Sequence, residues 1–213
     1  MPRAVIFVNG HIPDLELVRG LTRPGDTILA ADGGTDHILA LGLAPSVIIG
    51  DLDSLTPDAR RLMEQSGTRL IQHPRDKNET DFELALDFAV ESGYRPILIV
   101  AALGDRLDQT LGNLALLTSP RLSTVDISFD DGMEEAFFTR TSCQVRGLAG
   151  DLVSLIPWGG TVTGVITDGL LWPLRGETLY PYKTRGISNE LLGGMASVSL
   201  KSGLLLIVHR RLH

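Results

Sequence analysis

The sequence has a single cysteine and no long hydrophobic run. With Cys143 alone the chain cannot form an internal disulfide, which predicts a reducing compartment such as the cytoplasm. No apolar run approaches the roughly 20 residues of a membrane span, and the one near the N-terminus is too short for a signal peptide. We therefore expect a cytoplasmic protein without a membrane partner.

The common nucleotide-binding motifs are also missing. The sequence contains no P-loop, no G-x-G-x-x-G follows the first expected strand, and the five histidines have no metal-ligand spacing. The formal net charge of −7 argues against nonspecific binding to nucleic acid. A phosphate-bearing ligand would therefore need a metal ion or a local basic patch.

Short aliphatic runs alternate with helical patterns in the first part of the chain. Thr80 and Glu83 form a capping box before an apolar helical face, and a further helix is expected to begin near Asp108 and to bury Leu111, Leu114, Ala115 and Leu117. Aliphatic runs without polar alternation are typical of parallel strands covered on both faces. This pattern predicts a doubly wound, mostly parallel α/β sheet. The expected strands are 4–9, 27–32, 46–51, 69–73 and 96–103, and the other expected helices are 56–67 and 80–93.

The sequence changes character after about residue 123. Strand-like segments follow one another there, separated by Gly, Pro and Asp turns, without a strong helical pattern. Such spacing predicts an antiparallel sandwich or barrel. We therefore expect two domains, an α/β domain at 1–125 and an all-β domain at 126–213.

Acidic residues follow several of the expected strands. Asp51 and Asp53 come after the third strand, and their i, i+2 spacing points them to the same side if the strand persists. Asp32 comes after the second strand, where Gly33 and Gly34 allow close backbone approach or positive φ. Ligands bind at the carboxyl ends of the strands in such sheets.

Two other segments add to this acidic group. The fifth strand is followed by Asp105, Arg106 and Asp108, and Asp81 lies at the start of the helix at 80–93. Plainer interpretations remain open for single residues. Asp81 fits a first-turn acid, Asp108 a helix N-cap, and Asp32 a turn aspartate.

Clustered carboxylates need a compensating charge. Two of them about 5 Å apart repel by about 3 kcal/mol at an effective dielectric constant of about 20. Carboxylates without Cys or clustered His favour a hard cation, Mg²⁺ or Ca²⁺. Arg75, Lys77 and Arg106 are near in sequence and suit phosphate oxygens. The sequence therefore predicts metal ions that carry a polyphosphate.

Six motifs in this order resemble the thiamine pyrophosphokinase family. They are "ADGG", "GDLDS", "DKNETDFELAL", "LGDRLDQTLGNLALL", "GLLWPL" and "GISNE". The resemblance covers about residues 5 to 208. It implies an ATP-binding α/β domain followed by a β-sandwich that binds thiamine, assembled as a homodimer with thiamine near the subunit interface. The implied reaction is Mg²⁺-dependent transfer of a diphosphoryl group from ATP to the thiamine hydroxyl, which releases AMP.

The resemblance also implies roles for individual residues. Where relatives commonly have histidine this chain has Gln109, which hydrogen-bonds but does not titrate near neutrality. The implied metal-binding and catalytic residues are Asp51, Asp53 and Asp81. The implied ATP-binding residues are Asp32, Gly33, Gly34, Thr80, Arg106 and Asp108, and the implied thiamine-binding residues are Ser188, Asn189 and Trp172.

Two alternative functions share part of this pattern. A diphosphokinase for another alcohol, such as a hydroxymethylpterin, would keep the acidic group but lack the Ser-Asn-Glu motif of the C-terminal half. A non-catalytic nucleotide sensor would use the β domain as an interaction platform. The complete acidic set together with Arg106 argues against the sensor, since binding alone does not require so many carboxylates.

Overall fold

Six short aliphatic strands form a parallel sheet in the first part of the chain, with the order β6-β5-β1-β2-β3-β4. The structure is a computed structural model that describes residues 2–53, 55–104 and 106–212. Each strand is short because it crosses the buried centre of an α/β unit and ends at a turn. The strands are β1 (Ala4–Phe7), β2 (Thr27–Ala31), β3 (Val47–Gly50), β4 (Arg69–Gln72), β5 (Ile97–Val100) and β6 (Ile127–Asp130).

Helices cover both faces of this sheet. Val18, Ile38 and Met63, from the first three helices, pack with Val5 and Phe7 in one core cluster. The fourth helix contacts β1, β2 and β3 and buries its apolar face. The doubly wound class predicted from the sequence is therefore confirmed. The helices are α1 (Leu15–Leu21), α2 (Gly34–Ala40), α3 (Pro57–Gln65), α4 (Asp81–Glu91) and α5 (Leu107–Leu116), followed by a short 3₁₀ turn at Pro120–Leu122.

Two features of these helices differ from the sequence-based expectation. Helices α1 and α2 were not predicted, because seven residues give too short an apolar pattern to recognise. At α5 the expected Leu114 and Leu117 are buried, but the expected Leu111 and Ala115 are exposed, and Asn113 is buried as well. Asn113 can be buried because its amide donates to the carbonyl of Ala102 at 2.7 Å, which a hydrophobicity pattern does not reveal.

The second part of the chain consists of two antiparallel sheets around one core. The first has the order β12-β9-β14-β7 and the second β11-β10-β13-β8. Residues from both sheets share a single apolar cluster, so the predicted β-sandwich is confirmed. The strands are β7 (Glu134–Thr139), β8 (Ser142–Arg146), β9 (Leu152–Pro157), β10 (Val162–Asp168), β11 (Arg175–Leu179), β12 (Asn189–Glu190), β13 (Met195–Ser199) and β14 (Leu205–Arg210).

The chain divides into the compact units Met1–Asp131 and Gly132–His213. Strand β6 belongs to the first unit because it pairs in parallel with β5.

Cys143 lies on β8 against the sandwich core, and burial raises the pKa of its thiol to about 11. Within the described ranges, no helix combines the length and apolar character needed to cross a bilayer.

The buried carboxylate of Asp151 connects three segments of the second unit. Asp151 accepts backbone hydrogen bonds from Leu148 at 2.8 Å and Leu212 at 3.0 Å, and the Nε2 atom of His209 lies 3.1 Å away. Burial alone would raise the pKa of Asp151, but these hydrogen bonds outweigh it and hold the pKa below its ordinary value. The ionised form is therefore the one that the fold stabilises.

We expect Asp151→Asn to lower the free energy of unfolding by about 1–3 kcal/mol, because an amide replaces one of the accepting oxygens with a donor. Chemical denaturation at neutral pH measures this. Asp168→Asn, an exposed residue at the end of β10, is the matched control with little expected effect.

The same carboxylate predicts a pH dependence. Since the pKa is lower in the folded state, the stabilisation is complete above the unfolded value of about 3.9 and is lost as pH falls through the folded value. The difference in stability between wild type and Asp151→Asn should therefore shrink only below about pH 4. A constant difference through that range would contradict the assignment.

Candidate active site

The first unit has a cavity of about 560 Å³ at the carboxyl ends of its strands. Because β1 pairs with β2 on one side and β5 on the other, the crevice between the segments after β1 and β5 is the topological switch point of the sheet. The lining residues are Val8, Asn9, Gly10, Ala31, Asp32, Gly33, Asp51, Arg75, Lys77, Glu79, Thr80, Asp81, Ala101, Ala102, Gly104, Arg106, Gln109 and Asn113.

The backbone is strained where three strands end at this edge. Asp32, Leu52 and Ala101 follow β2, β3 and β5 with φ values of 40°, 61° and 57°, a region that side-chain-bearing residues seldom adopt. Each such residue costs about 1–3 kcal/mol and persists only when its surroundings hold it there. Leu52 and Ala101 are buried, so the core enforces these turns. Strain of this kind concentrates at functional sites.

Three carboxylates converge beside the cavity. Asp32, Asp51 and Asp53 each offer an oxygen, and these oxygens all lie within 4.8 Å of one another. The strand does not persist to align Asp51 and Asp53, because β3 ends at Gly50. The turn at Leu52 brings them together instead, and the backbone N–H of Asp53 donates to Oδ1 of Asp51 at 3.1 Å.

Hydrogen bonding and charge keep Asp51 ionised. Its pKa lies below the ordinary value, first because of the backbone N–H of Asp53, and with smaller contributions from the charges of Lys77 and Arg75. Carboxylate oxygens at this separation fit a hard divalent cation such as Mg²⁺, whose ligands are oxygens. The donor set of the triad (Asp32, Asp51 and Asp53) therefore suits the predicted metal.

Asp81, the fourth predicted carboxylate, has a different partner. The Nζ atom of Lys77 lies 2.8 Å from Oδ1 of Asp81, and the Lys77 side chain is only 12% exposed. Arg75 lies 3.5 Å from Asp53, but its side chain is 84% exposed and solvent weakens that interaction. The connection between β4 and α4 thus contributes one cation to Asp53 and another to Asp81.

Glycines allow the segments around the cavity to approach closely. A Cβ atom at Gly34 would lie 2.0 Å from the carbonyl oxygen of Phe7, and one at Gly33 would lie 2.6 Å from the Asn9 side chain. The expected close approach is therefore present, while the positive φ falls on Asp32. At Gly50 a Cβ would lie 2.9 Å from the Cβ of Asp32 and 3.1 Å from Oδ1 of Asp81.

The predicted nucleotide-binding side chains lie at helix starts. Thr80 caps α4 by accepting from the backbone N–H of Glu83 at 3.1 Å. Arg106 lines the cavity and Asp108 is not among the described lining residues, although the two form an ion pair at 2.5 Å. Hydrogen bonding within this pair raises the pKa of Arg106 and lowers that of Asp108. Asp105 lies outside the described residues.

Two asparagines at the cavity were missed by the sequence analysis. Asn9 follows β1, and Asn113 is buried on α5. The Asn-Gly pair directly after an aliphatic strand was a usable indication for Asn9. For Asn113 the only indication was a polar residue at a core position of a helical pattern.

The three predicted thiamine-binding residues lie together in the second unit. Asn189 accepts from the backbone N–H of Trp172 at 3.0 Å and donates to its carbonyl at 2.7 Å. Asn189 is buried, whereas Trp172 is 49% exposed. Ser188 has a φ of 55° and donates its N–H to the hydroxyl of Ser154 at 3.0 Å. Asn189 therefore fixes the backbone that carries an accessible indole.

Family models match both units of the chain. The model of the thiamin pyrophosphokinase catalytic domain matches residues 19–129, about half of the chain. The chain belongs to the thiamin pyrophosphokinase family. The model of the vitamin B1 binding domain of thiamin pyrophosphokinase matches residues 142–205.

Individual thiamine pyrophosphokinases match over nearly the whole chain. The enzyme of Bacillus subtilis (strain 168) is 29% identical over 199 residues, which is 92% of each chain. A crystal structure of a B. subtilis thiamine pyrophosphokinase has a TM-score of 0.87 and 26% identity, covering 98% of this chain and 99% of the other. A Geobacillus thermodenitrificans structure has a TM-score of 0.83 and 25% identity, covering 99% and 97%.

We expect Gly50→Ala to lower the free energy of unfolding by about 1–3 kcal/mol, because its Cβ would overlap the Cβ atom of Asp32. It should also weaken binding of Mn²⁺–ATP, since it displaces Asp32 and Asp81. Denaturation and calorimetric titration measure the two effects. Gly20→Ala is the control, because Gly20 is inside α1 with no described atom beyond that helix within 4 Å, and alanine there should stabilise by about 0.5–1 kcal/mol. Equal effects of both substitutions would contradict the packing argument.

Proposed function

We propose that this protein is a thiamine diphosphokinase, which transfers a diphosphoryl group from ATP to the hydroxyl of thiamine and releases AMP. One observation carries the proposal. The catalytic-domain match contains the converging carboxylates Asp32, Asp51 and Asp53, and the B1-binding match contains Trp172, Ser188 and Asn189. The comparisons support neither a hydroxymethylpterin diphosphokinase nor a nucleotide sensor.

The carboxylates hold the metal in this proposal. Asp51, Asp53 and Asp81 are the predicted ligands, and the proximity of Asp32 to Asp51 and Asp53 supports including it. Bound Mg²⁺ would neutralise phosphate charge that develops during transfer. The four side chains would hold this ion beside the cavity. Without the ion, their negative charges repel one another.

The bond changes balance without a further reactant. The thiamine hydroxyl oxygen forms a bond to the β-phosphorus of ATP, and the bond from that phosphorus to the α–β bridging oxygen breaks. AMP leaves with the bridging oxygen, and the hydroxyl proton passes to a carboxylate of the acidic group or to water. In-line geometry and electrostatic stabilisation are what the protein must supply.

The nucleotide occupies the cavity of the first unit in this proposal. Gly33 lines the cavity, Gly34 lets the start of α2 lie against the end of β1, and Thr80 lies at the start of α4, where backbone N–H groups favour phosphate. Arg106 lines the same cavity and offers five N–H donors to phosphate oxygens, with Asp108 holding its orientation. Gln109 also lines the cavity and can serve as a hydrogen-bonding group there.

Thiamine recognition is assigned to the second unit. The half-exposed indole of Trp172 suits the cationic thiazolium ring of thiamine through a cation–π contact. Ser188 offers a hydroxyl for the aminopyrimidine, and Asn189 positions Trp172 through its two backbone hydrogen bonds.

We also propose that the protein is a homodimer. The second unit exposes several large apolar side chains that association with a second copy could cover. They include Leu148, Tyr182, Leu192 and Met195.

The test of the proposed function is product identification after incubation with ATP, Mg²⁺ and thiamine. We expect thiamine diphosphate and AMP in equal amounts. ADP with thiamine monophosphate would indicate ordinary phosphoryl transfer. Nucleotide binding without turnover would favour the sensor, and turnover with a hydroxymethylpterin instead of thiamine would favour the pterin enzyme.

We expect Asp53→Asn to lower turnover by about 100-fold or more, because loss of a metal-binding carboxylate removes several kcal/mol of transition-state stabilisation. Its free energy of unfolding should stay within about 0.5 kcal/mol of wild type, since the side chain is 53% exposed and repels its neighbours. Steady-state kinetics and denaturation measure these. A loss of stability that accounts for the loss of activity would make Asp53 a structural residue.

A further inference from the structure

Lys77 is the most enclosed cation of the cavity. Its side chain is 12% exposed, compared with 84% for Arg75 and 67% for Arg106. Its ammonium forms an ion pair with Oδ1 of Asp81 at 2.8 Å, and that oxygen is buried and accepts no hydrogen bond from the described residues. Because it is less exposed, this contact is less weakened by solvent than the ion pairs of Arg75 and Arg106.

The position of Lys77 conflicts with a metal ion at Asp81. A divalent cation that takes Oδ1 of Asp81 as a ligand would lie within a few ångströms of the ammonium, and the two positive charges would repel. The field of Lys77 also reaches Asp51, whose pKa it helps to lower. Lys77 therefore stabilises the carboxylates in the same way as a bound metal.

The side chain of lysine is suited to exchange between partners. It is a point charge on a flexible four-carbon stem, unlike the planar fork of arginine. Lys77 lines the same cavity as Arg106 and Thr80, so phosphate oxygens placed there would be within reach of a new rotamer. ATP brings more negative charge than one divalent ion neutralises, which leaves acceptors for the ammonium.

We propose that Lys77 is an internal counter-ion, which neutralises Asp81 while the site lacks metal and moves to the phosphates when the metal–nucleotide complex binds. This inference rests on the proposed function, because it takes the cavity to be the ATP site. It predicts effects of opposite sign for one substitution. Without Lys77 the carboxylates bind a free divalent ion more tightly, and the metal–nucleotide complex binds more weakly.

The experiment compares wild type with Lys77→Gln, which removes the positive charge and keeps an extended polar side chain. The first measurement is the affinity for Mn²⁺ without nucleotide, in which the electron paramagnetic resonance signal reports the concentration of free Mn²⁺. The second is calorimetric affinity for Mn²⁺ with α,β-methylene-ATP, in which the scissile bridge cannot be cleaved. Arg61→Gln, an exposed residue of α3, is the control for loss of one positive charge. Lys77→Arg tests whether charge alone restores both affinities.

We expect Lys77→Gln to bind Mn²⁺ at least about threefold more tightly and the nucleotide complex about tenfold more weakly, with both values unchanged in Arg61→Gln. Lys77→Arg should bind free Mn²⁺ as weakly as wild type. Weaker binding of both ligands would show that Lys77 only maintains the fold of the site, and unchanged binding of either would also overturn the proposal. Neither measurement needs turnover. Failure of the counter-ion proposal can therefore be distinguished from failure of the protein to form thiamine diphosphate.

Discussion

Repulsion among carboxylates at one edge of the parallel sheet is the constraint on which the site depends. Asp32, Asp51 and Asp53 present oxygens within 4.8 Å of one another, which costs several kcal/mol unless positive charge lies among them. The chain supplies that charge from a single connection, through Arg75 and Lys77. A site balanced in this way is prepared for a divalent ion and a polyphosphate, since both can enter by replacing existing ion pairs.

The sheet topology holds this unfavourable arrangement in place. Buried aliphatic strands fix where each chain segment emerges, and the residues just beyond them take up strained backbone conformations at Asp32, Leu52 and Ala101. The hydrophobic stabilisation of the strands far exceeds the strain, so the core can maintain turns that the local sequence would not adopt. Gly34 and Gly50 complete the geometry by admitting a neighbouring segment where a side chain would collide.

The β-sandwich uses buried polar side chains for a related purpose. Asn189 holds the backbone of Trp172 at both its N–H and its carbonyl, which leaves the indole accessible. Asp151 joins a loop, a strand and the chain end through three contacts. In both cases one enclosed polar group costs desolvation and gains a defined position for exposed groups around it.

The sequence by itself determined the two fold classes, the five strands β1 to β5, helices α3 to α5, and the residues whose motifs carry the family resemblance. These features follow from local periodicity, capping and motif order, which need no knowledge of distant contacts. The sequence did not determine that a turn at Leu52 unites Asp51 and Asp53, that Asp81 contacts Lys77, or that Asn9 and Asn113 line the cavity. Only the tertiary structure decided these, because each depends on where a strand ends and which segments then meet across the sheet edge.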